Sequence, residues 1–314
     1  MGQGNQFKKC LTEKLLECAA ELSNCLHLKA VMVYADVFED REILEHFLVR
    51  LGETTLVLVT REETPGDLPE KVVTIKVPPI KLTRLGQMKV AVLVGVSQGI
   101  FHPEDVILCL SGIAESGVID SLFILDIGEE FEFFAVTQLE HLHEVVRPEV
   151  FLRVLEIAID LSVEGREGKP VGTIFIVGDT DRVLQYCEQI ILNPFKGYPE
   201  SERNILDPKL EETVKEFASL DGAFIIRGDG VIETAGAFIR AGAVTEEIPA
   251  GLGTRHRSAA AITAITQAVA ITVSESTGTV MVFYGGKIIM EIERPQFFGP
   301  RAAKPISAYP KNKE

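Results

Sequence analysis

The chain has 314 residues, 46% of them hydrophobic and 25% charged, a composition that excludes wholesale disorder and leaves room for two domains with cores of their own. Its formal net charge of −15 is concentrated at the front, where residues 1–140 hold 22 acids against 12 Lys and Arg, while the remainder holds 24 against 19. That sign repels phosphate backbones and anionic headgroups, which argues against nucleic acid or a membrane surface as a general partner and leaves open a local basic pocket for a nucleotide.

The first predicted element is an amphipathic helix over about residues 6–24, with Cys10, Cys18 and Cys25 recurring at spacings of eight and seven and expected as small buried apolar residues. Five cysteines, with no CxxC pair, give neither a disulfide framework nor a zinc ribbon. The N-terminal stretch has no apolar signal core, and no run reaches the ~18 to 20 apolar residues needed to span a bilayer. Reduced thiols and these absences together predict a cytoplasmic protein.

Apolar runs then alternate with amphipathic segments. KAVMVYA at Lys29, TTLVLVT at Thr54 and KVVTIKV at Lys71 predict strands, with a helix over Glu39–Leu51 between the first two. A short helix over Leu82–Met88 is followed by a predicted strand at Lys89, a helix opened by Pro103 and a strand at Ser121. The strand ending at Val94 would lead into GVSQG, Gly95–Gly99, where a turn role outweighs a ligand role because neither GxGxxG nor GxxxxGK occurs in this half. Residues 141–163 predict one long connecting helix, ended by the loop Glu164–Pro170.

Beyond it, VGTIFIVG predicts a buried strand, Asp179 or Thr180 a helix cap, and Asp207-Pro208 another helix start. A hairpin turns at Gly228–Gly230, a further strand falls near Gly236–Ile239, and three late strands, QAVAITVS, TVMVFYG and KIIMEIE, are joined by tight turns. The whole is α/β: an N-terminal three-layer α/β domain with a mostly parallel sheet over 1–140, a connecting helix and loop over 141–168, an α/β domain with a mixed sheet over 169–294, and a flexible tail over 295–314.

The chemistry gathers in three segments of the last third. GLGTRHRSAAAITAITQ places Gly251 and Gly253 before Thr254 and the first turn of a helix, where unpaired N–H groups and the helix dipole favour an anion. Arg255 and Arg257 add forked contacts to phosphate oxygens, with His256 as a third donor. Two arginines at a helix start are unfavourable until an anion joins them. Asp221, in SLDGAF between a helix and a strand, is the carboxylate that suits Mg²⁺ or Mn²⁺ bridging protein and phosphate. Glu275, in the turn VSESTG, is a second acidic contact or a plain hairpin residue.

DGA at Asp221–Ala223, GTRHR at Gly253–Arg257 and the turn with Ser274 and Glu275 resemble, in the same order, the three signature segments of the diadenylate cyclase domain, over roughly residues 145–295. The front domain resembles the α/β C-terminal domain of pyruvate kinase, an arrangement associated with archaeal diadenylate cyclases. The resemblance implies a nucleotidyltransferase that condenses two ATP into cyclic di-AMP and two pyrophosphates with Mn²⁺ or Mg²⁺, each 3′-hydroxyl attacking the other ATP's α-phosphate. It implies that Asp221 holds the metal and helps activate the hydroxyl, that Thr254, Arg255, His256 and Arg257 cradle phosphates, and that backbone around Gly222, Leu252 and Gly236 shapes the nucleoside pocket. Gly222, Ala223, Gly253, Ser274 and Glu275 complete the expected nucleotide contacts. Where many members carry SEE, this chain has Ser274, Glu275 and Ser276, so the last acidic position departs from the pattern. One ATP per domain requires two sites face to face, hence a homo-oligomer with at least a transient catalytic pair. The alternative is a receptor that binds nucleotide or cyclic di-AMP without turnover.

Overall fold

The computed structural model describes residues 2–35, 41–61, 68–69, 71–77, 82–112, 118–130, 142–240 and 253–294. Its front part runs α1 (Gly2–Leu26), β1 (Ala30–Tyr34), α2 (Arg41–Leu51), β2 (Thr55–Thr60), β3 (Val72–Lys76), α3 (Arg84–Ser97), β4 (Val106–Ser111), β5 (Ser121–Asp126) and α4 (Ile127–Glu130). The five strands lie in the order β3-β2-β1-β4-β5, parallel except for β5, which runs antiparallel to β4. Alternate strand residues serve opposite faces, as the two-residue period of a strand requires. Val31, Val33, Leu56, Leu58, Leu108 and Leu110 pack under α1 and α2 with Leu16, Ala19 and Phe47, while Met32, Val57, Val59, Ile107 and Cys109 meet Met88 and Val90 to Val94 of α3.

Two expected elements exchange identity. Lys89–Val96 is helical, the continuation of α3, and the segment after Pro103 is the strand β4. A short apolar run buried on every side does not declare helix or strand by its period. The deciding local signal is Thr83, the N-cap of α3, whose side chain accepts from the Gly86 N–H at 3.1 Å. GVSQG therefore closes a helix and is not a loop at a strand's carboxyl end.

The expected single connecting helix is two: α5 (Leu142–Val145) and α6 (Pro148–Glu164). The break falls at Val146 and Arg147 because the residue before a proline is pushed out of the helical region, and Arg147 is extended at φ −64°, ψ 136°. The chain continues through β6 (Thr173–Val177), α7 (Thr180–Val183), β7 (Cys187–Gln189), α8 (Glu211–Phe217), β8 (Ala223–Ile226), β9 (Ile232–Ile239), α9 (Thr254–Ile265), β10 (Val269–Val273), β11 (Val280–Tyr284) and β12 (Lys287–Ile292). The short edge strand β7 is unforeseen by sequence, and the segment near Gly236 belongs to β9.

This second sheet is mixed, ordered β12-β11-β10-β6-β8-β9-β7, with only β6 and β8 parallel. α9 covers one face through Ala259, Ala260 and Ile262 against Ile174, Ile176, Ile225 and Phe283. α6 covers the other through Val150, Val154, Leu155 and Ala158 against Phe175 and Phe224. Asp179 stands at the N-cap of α7 without a side-chain cap bond, and its carboxylate instead accepts from the Gln267 N–H at 2.9 Å, just past α9. The two sheets share one buried apolar cluster that runs through α3 into β12, and the Lys89 ammonium donates to the Glu291 carbonyl at 3.5 Å. α3 thus screens an edge strand that would otherwise present unpaired backbone groups.

Cys10, Cys18 and Cys25 correct the expectation of burial: all three are exposed on α1, and the inward face is Thr12, Leu16, Ala19, Ala20 and Ser23. The tail over 295–314 lies outside the described residues.

Candidate active site

Asp221 occupies the turn between α8 and β8, its side chain 90% exposed. The turn is held by a glycine pair. Gly222 (φ +107°) rests directly on Gly236 (φ +72°) of β9, and a Cβ on Gly222 would lie 2.6 Å from the Gly236 carbonyl carbon. Only glycine tolerates both the positive φ and the approach. Gly236 is in turn overlain by Ile191, 2.2 Å from where its Cβ would stand. It therefore sits one layer behind the surface that a ligand would meet.

α9 begins at Thr254 with Gly253 as an N-cap that offers no side-chain bond, so the first-turn N–H groups keep their donor capacity. From that turn the Arg255 guanidinium reaches between the other two segments: Nη2 stands 3.5 Å from Asp221 Oδ1 and Nη1 3.4 Å from Glu275 Oε2. Three stretches separated by 34 and 20 residues thus converge on one side chain. Both contacts are long and the carboxylates well exposed, so the pairs themselves add little stability and leave the guanidinium open to a stronger acceptor.

A residue that sequence reasoning passed over makes this convergence possible. Gly172, one position before β6, lies behind Arg255, and a Cβ there would fall 2.7 Å from Arg255 Nη1 and 2.9 Å from Glu275 Cβ. Its signal in the sequence is slight: a glycine directly ahead of the buried run TIFIV.

Two depressions flank the guanidinium. One, about 460 Å³, runs from Asp221, Gly222 and Ala223 past Thr254 to Ile190 and Phe238, two apolar side chains left 48% and 52% exposed. The other, about 650 Å³, is walled by Gly253, Thr254, His256, Ser274, Glu275, Ser276 and Glu291. Thr254 and Arg255 belong to both. The Ser274 hydroxyl accepts from the Thr277 N–H at 3.3 Å and lies 3.3 Å from the Ser276 hydroxyl, so Ser276 serves the turn that projects Glu275.

The four residues expected as one cradle point in different directions. Thr254 and Arg255 face the opening. His256 turns inward, 7% exposed, its ring centroid 6.2 Å from that of Phe283 and neither ring nitrogen hydrogen-bonded. Burial, with Arg255 adding repulsion, holds the imidazole below its ordinary pKa and hence neutral. Arg257 is exposed, lines neither depression and makes no ion pair among the described residues. Leu252 and Gly251 lie outside the described residues.

Among the described residues no cluster of three His, Cys, Asp or Glu side chains could hold a metal unaided. The exposed carboxylates of Asp221 and Glu275, one on either nitrogen of the guanidinium, are hard oxygen ligands of the kind a divalent ion takes when phosphate oxygens and water complete its shell.

Residues 160–288 match the family model described as DisA bacterial checkpoint controller nucleotide-binding, and residues 11–135 match a second, described as probable sensor domain DacZ_P. A diadenylate cyclase of Methanocaldococcus jannaschii is 38% identical over 177 residues, 56% of this chain and 56% of that one. A diadenylate cyclase of Haloferax volcanii is 37% identical over 203 residues, 63% of this chain and 71% of that one. The chain thus spans little more than half the length of the first relative and over two thirds of the second. A solved structure titled as a hypothetical membrane spanning protein from Bacillus cereus superposes with a TM-score of 0.37 and 18% identity, covering 53% of this chain and 74% of that one. With the three signature segments meeting at Arg255 and this coverage of a curated relative, the chain belongs to the diadenylate cyclase family.

Proposed function

We propose that the chain is a nucleotidyltransferase that condenses two ATP into cyclic di-AMP and two pyrophosphates. The observation that carries this reading is the Arg255 guanidinium held loosely between Asp221 and Glu275 at an uncapped helix start. Such a group is matched to a polyphosphate: the Thr254 region offers backbone donors and the dipole, and Arg255 offers a planar fork for two oxygens. Ile190 and Phe238 supply an apolar wall suited to a purine. Bound Mg²⁺ or Mn²⁺ would neutralise charge on the α-phosphate and the departing pyrophosphate. Asp221 and Glu275 are the residues to hold it.

Asp221 then orients the 3′-hydroxyl and takes its hydrogen bond, while Arg255 and the first turn of α9 hold the α-phosphate in line. One opening holds one ATP, so nucleophile and electrophile meet only when two copies face each other, and the exposure of Asp221 suits a carboxylate that works across that gap. The front sheet, matched as a probable sensor domain and resembling a pyruvate kinase C-terminal domain, regulates or assembles the cyclase. Its α3 lies against β12, whose Glu291 walls the second depression. We place the protein in the cytoplasm; no described helix is long and apolar enough to cross a membrane.

The test is incubation of purified protein with ATP and Mn²⁺ or Mg²⁺, with the product identified by mass spectrometry. Cyclic di-AMP and pyrophosphate are expected. No product across metals and protein concentrations would overturn the reading, and tight cyclic di-AMP binding without turnover would establish the receptor instead.

A further inference from the structure

We propose that Glu291 is a charge gate on the phosphate side of the site, which makes the chain accept a polyphosphate as its divalent-metal complex and turn away the metal-free nucleotide. The inference rests on the nucleotide reading above and adds the form in which the nucleotide enters.

The strand places this side chain. Met290 and Ile292, its neighbours on β12, are 3% and 2% exposed and belong to the core on the α6 face of the sheet, so the two-residue period turns Glu291 to the opposite face. There it stands across from Met281 of β11, which shares a buried cluster with Ala259 and Ala260 of α9. On the main chain, the Glu291 carbonyl accepts from the Lys89 ammonium of α3 at 3.5 Å. Glu291 is thus fixed in its backbone and free at its carboxylate, which is exposed and makes no hydrogen bond or ion pair among the described residues.

Charge gives that carboxylate a task. With a purine against Ile190 and Phe238 and the α-phosphate at Thr254 and Arg255, which both depressions share, the tail beyond the α-phosphate extends into the second depression. Among the described residues that wall it, the charged ones are Arg255, Glu275 and Glu291. His256 is buried there and neutral. One cation against two carboxylates gives a negative wall to a space that receives an anion. A bare polyphosphate is repelled by it, whereas toward a metal-complexed tail the same carboxylates are attractive partners, directly or through water. Of the two acids, Glu275 stands 3.4 Å from the Arg255 guanidinium, and Glu291 is the one left uncompensated.

The test measures binding of 3′-deoxy-ATP, which lacks the attacking hydroxyl and so is not turned over, to the full-length chain by calorimetry in Mg²⁺ and in EDTA. The parent is expected to bind more tightly in Mg²⁺. Glu291→Gln is expected to tighten binding in EDTA by about 5-fold at low salt, the scale of one exposed charge removed from beside a polyanion, and to lose that gain at about 0.5 M salt. Glu293→Gln, at an exposed carboxylate two residues on that lines neither depression, is expected to change nothing. The gate is overturned if Glu291→Gln leaves the ratio of the two affinities unchanged, if its gain is indifferent to salt, or if Glu293→Gln gains as much. No binding by the parent in either condition would overturn the nucleotide reading, and the gate with it. None of these readouts depends on cyclase activity.

Discussion

α3 and α9 each cover a sheet beside the shared apolar cluster, and they begin in opposite ways. α3 closes its own start: Thr83 caps it, and the run behind is apolar and buried. α9 leaves its start open, with Gly253 offering no cap, Arg255 reaching to the opening and His256 tucked beneath. The first helix start satisfies itself and is structural. The second has donors and a cation with only loose intramolecular partners, the arrangement in which a polyanion supplies the missing interaction.

The sharpest way to break the contrast is to remove the charges that surround the open start. Asp221→Asn and Arg255→Ala are each expected to lower cyclic di-AMP formation by ~10²-fold or more, measured by initial rates, while melting temperatures change little because the pairs are long and exposed. A rate within a few-fold of the parent would remove both residues from the reaction.

Gly172→Val should come next. Its side chain occupies the space of the Arg255 guanidinium, and a displacement of about 1 Å is expected to cost up to ~10²-fold in rate, with the fold retained by circular dichroism. Full activity in this variant would mean that the guanidinium's position is unimportant.

His256 sharpens the comparison through pH. Its folded pKa lies below the ordinary value of 6.5, so below that pH the unfolded chain binds the proton more readily. The stability present at neutral pH is therefore lost as pH falls below 6.5 toward the folded pKa. A melting temperature that drops between pH 7.5 and 5.5 is expected, and His256→Phe should flatten the drop. An identical slope in both proteins would assign the effect to other groups.

The smallest effects come from exchanging the caps. Thr83→Ala should cost ~1 kcal/mol in denaturant melts with ATP affinity unchanged. Gly253→Ser, at a position where an added Cβ meets nothing within 4 Å, should gain a few tenths of a kcal/mol and weaken ATP binding by occupying first-turn donors. Tighter ATP binding in Gly253→Ser would contradict the picture of α9 as the open end.

Much of the site was legible because its signals are local. A glycine ahead of Thr254-Arg255, an Asp-Gly turn at Asp221 and a tight turn around Glu275 each carry their chemistry within a few residues. What stayed hidden needs the third dimension. His256 and Arg257 directly follow Arg255 and look equivalent to it in sequence, yet helical geometry sends His256 inward and Arg257 away from both depressions. Gly172 matters only because Arg255 and Glu275 arrive from elsewhere in the chain.

The fold divides in the same way. Alternating apolar runs and turn residues determined an α/β chain with two sheets, most strand positions, and the helix start at Asp207. Sequence could not decide that Lys89–Val96 is helix and Val106–Ser111 strand, since a fully buried run lacks the polar face from which a period is read. Nor could it decide which side of α1 faces water, because residue types that are commonly buried lie on both sides, Leu16, Ala19 and Ala20 on one and Phe7 and the three cysteines on the other, and only packing against β1, β4 and β5 selected Leu16 and Ala19 over Cys18. Local chemistry is written residue by residue, whereas convergence on Arg255 and the exposure of a face depend on contacts between segments far apart in the chain.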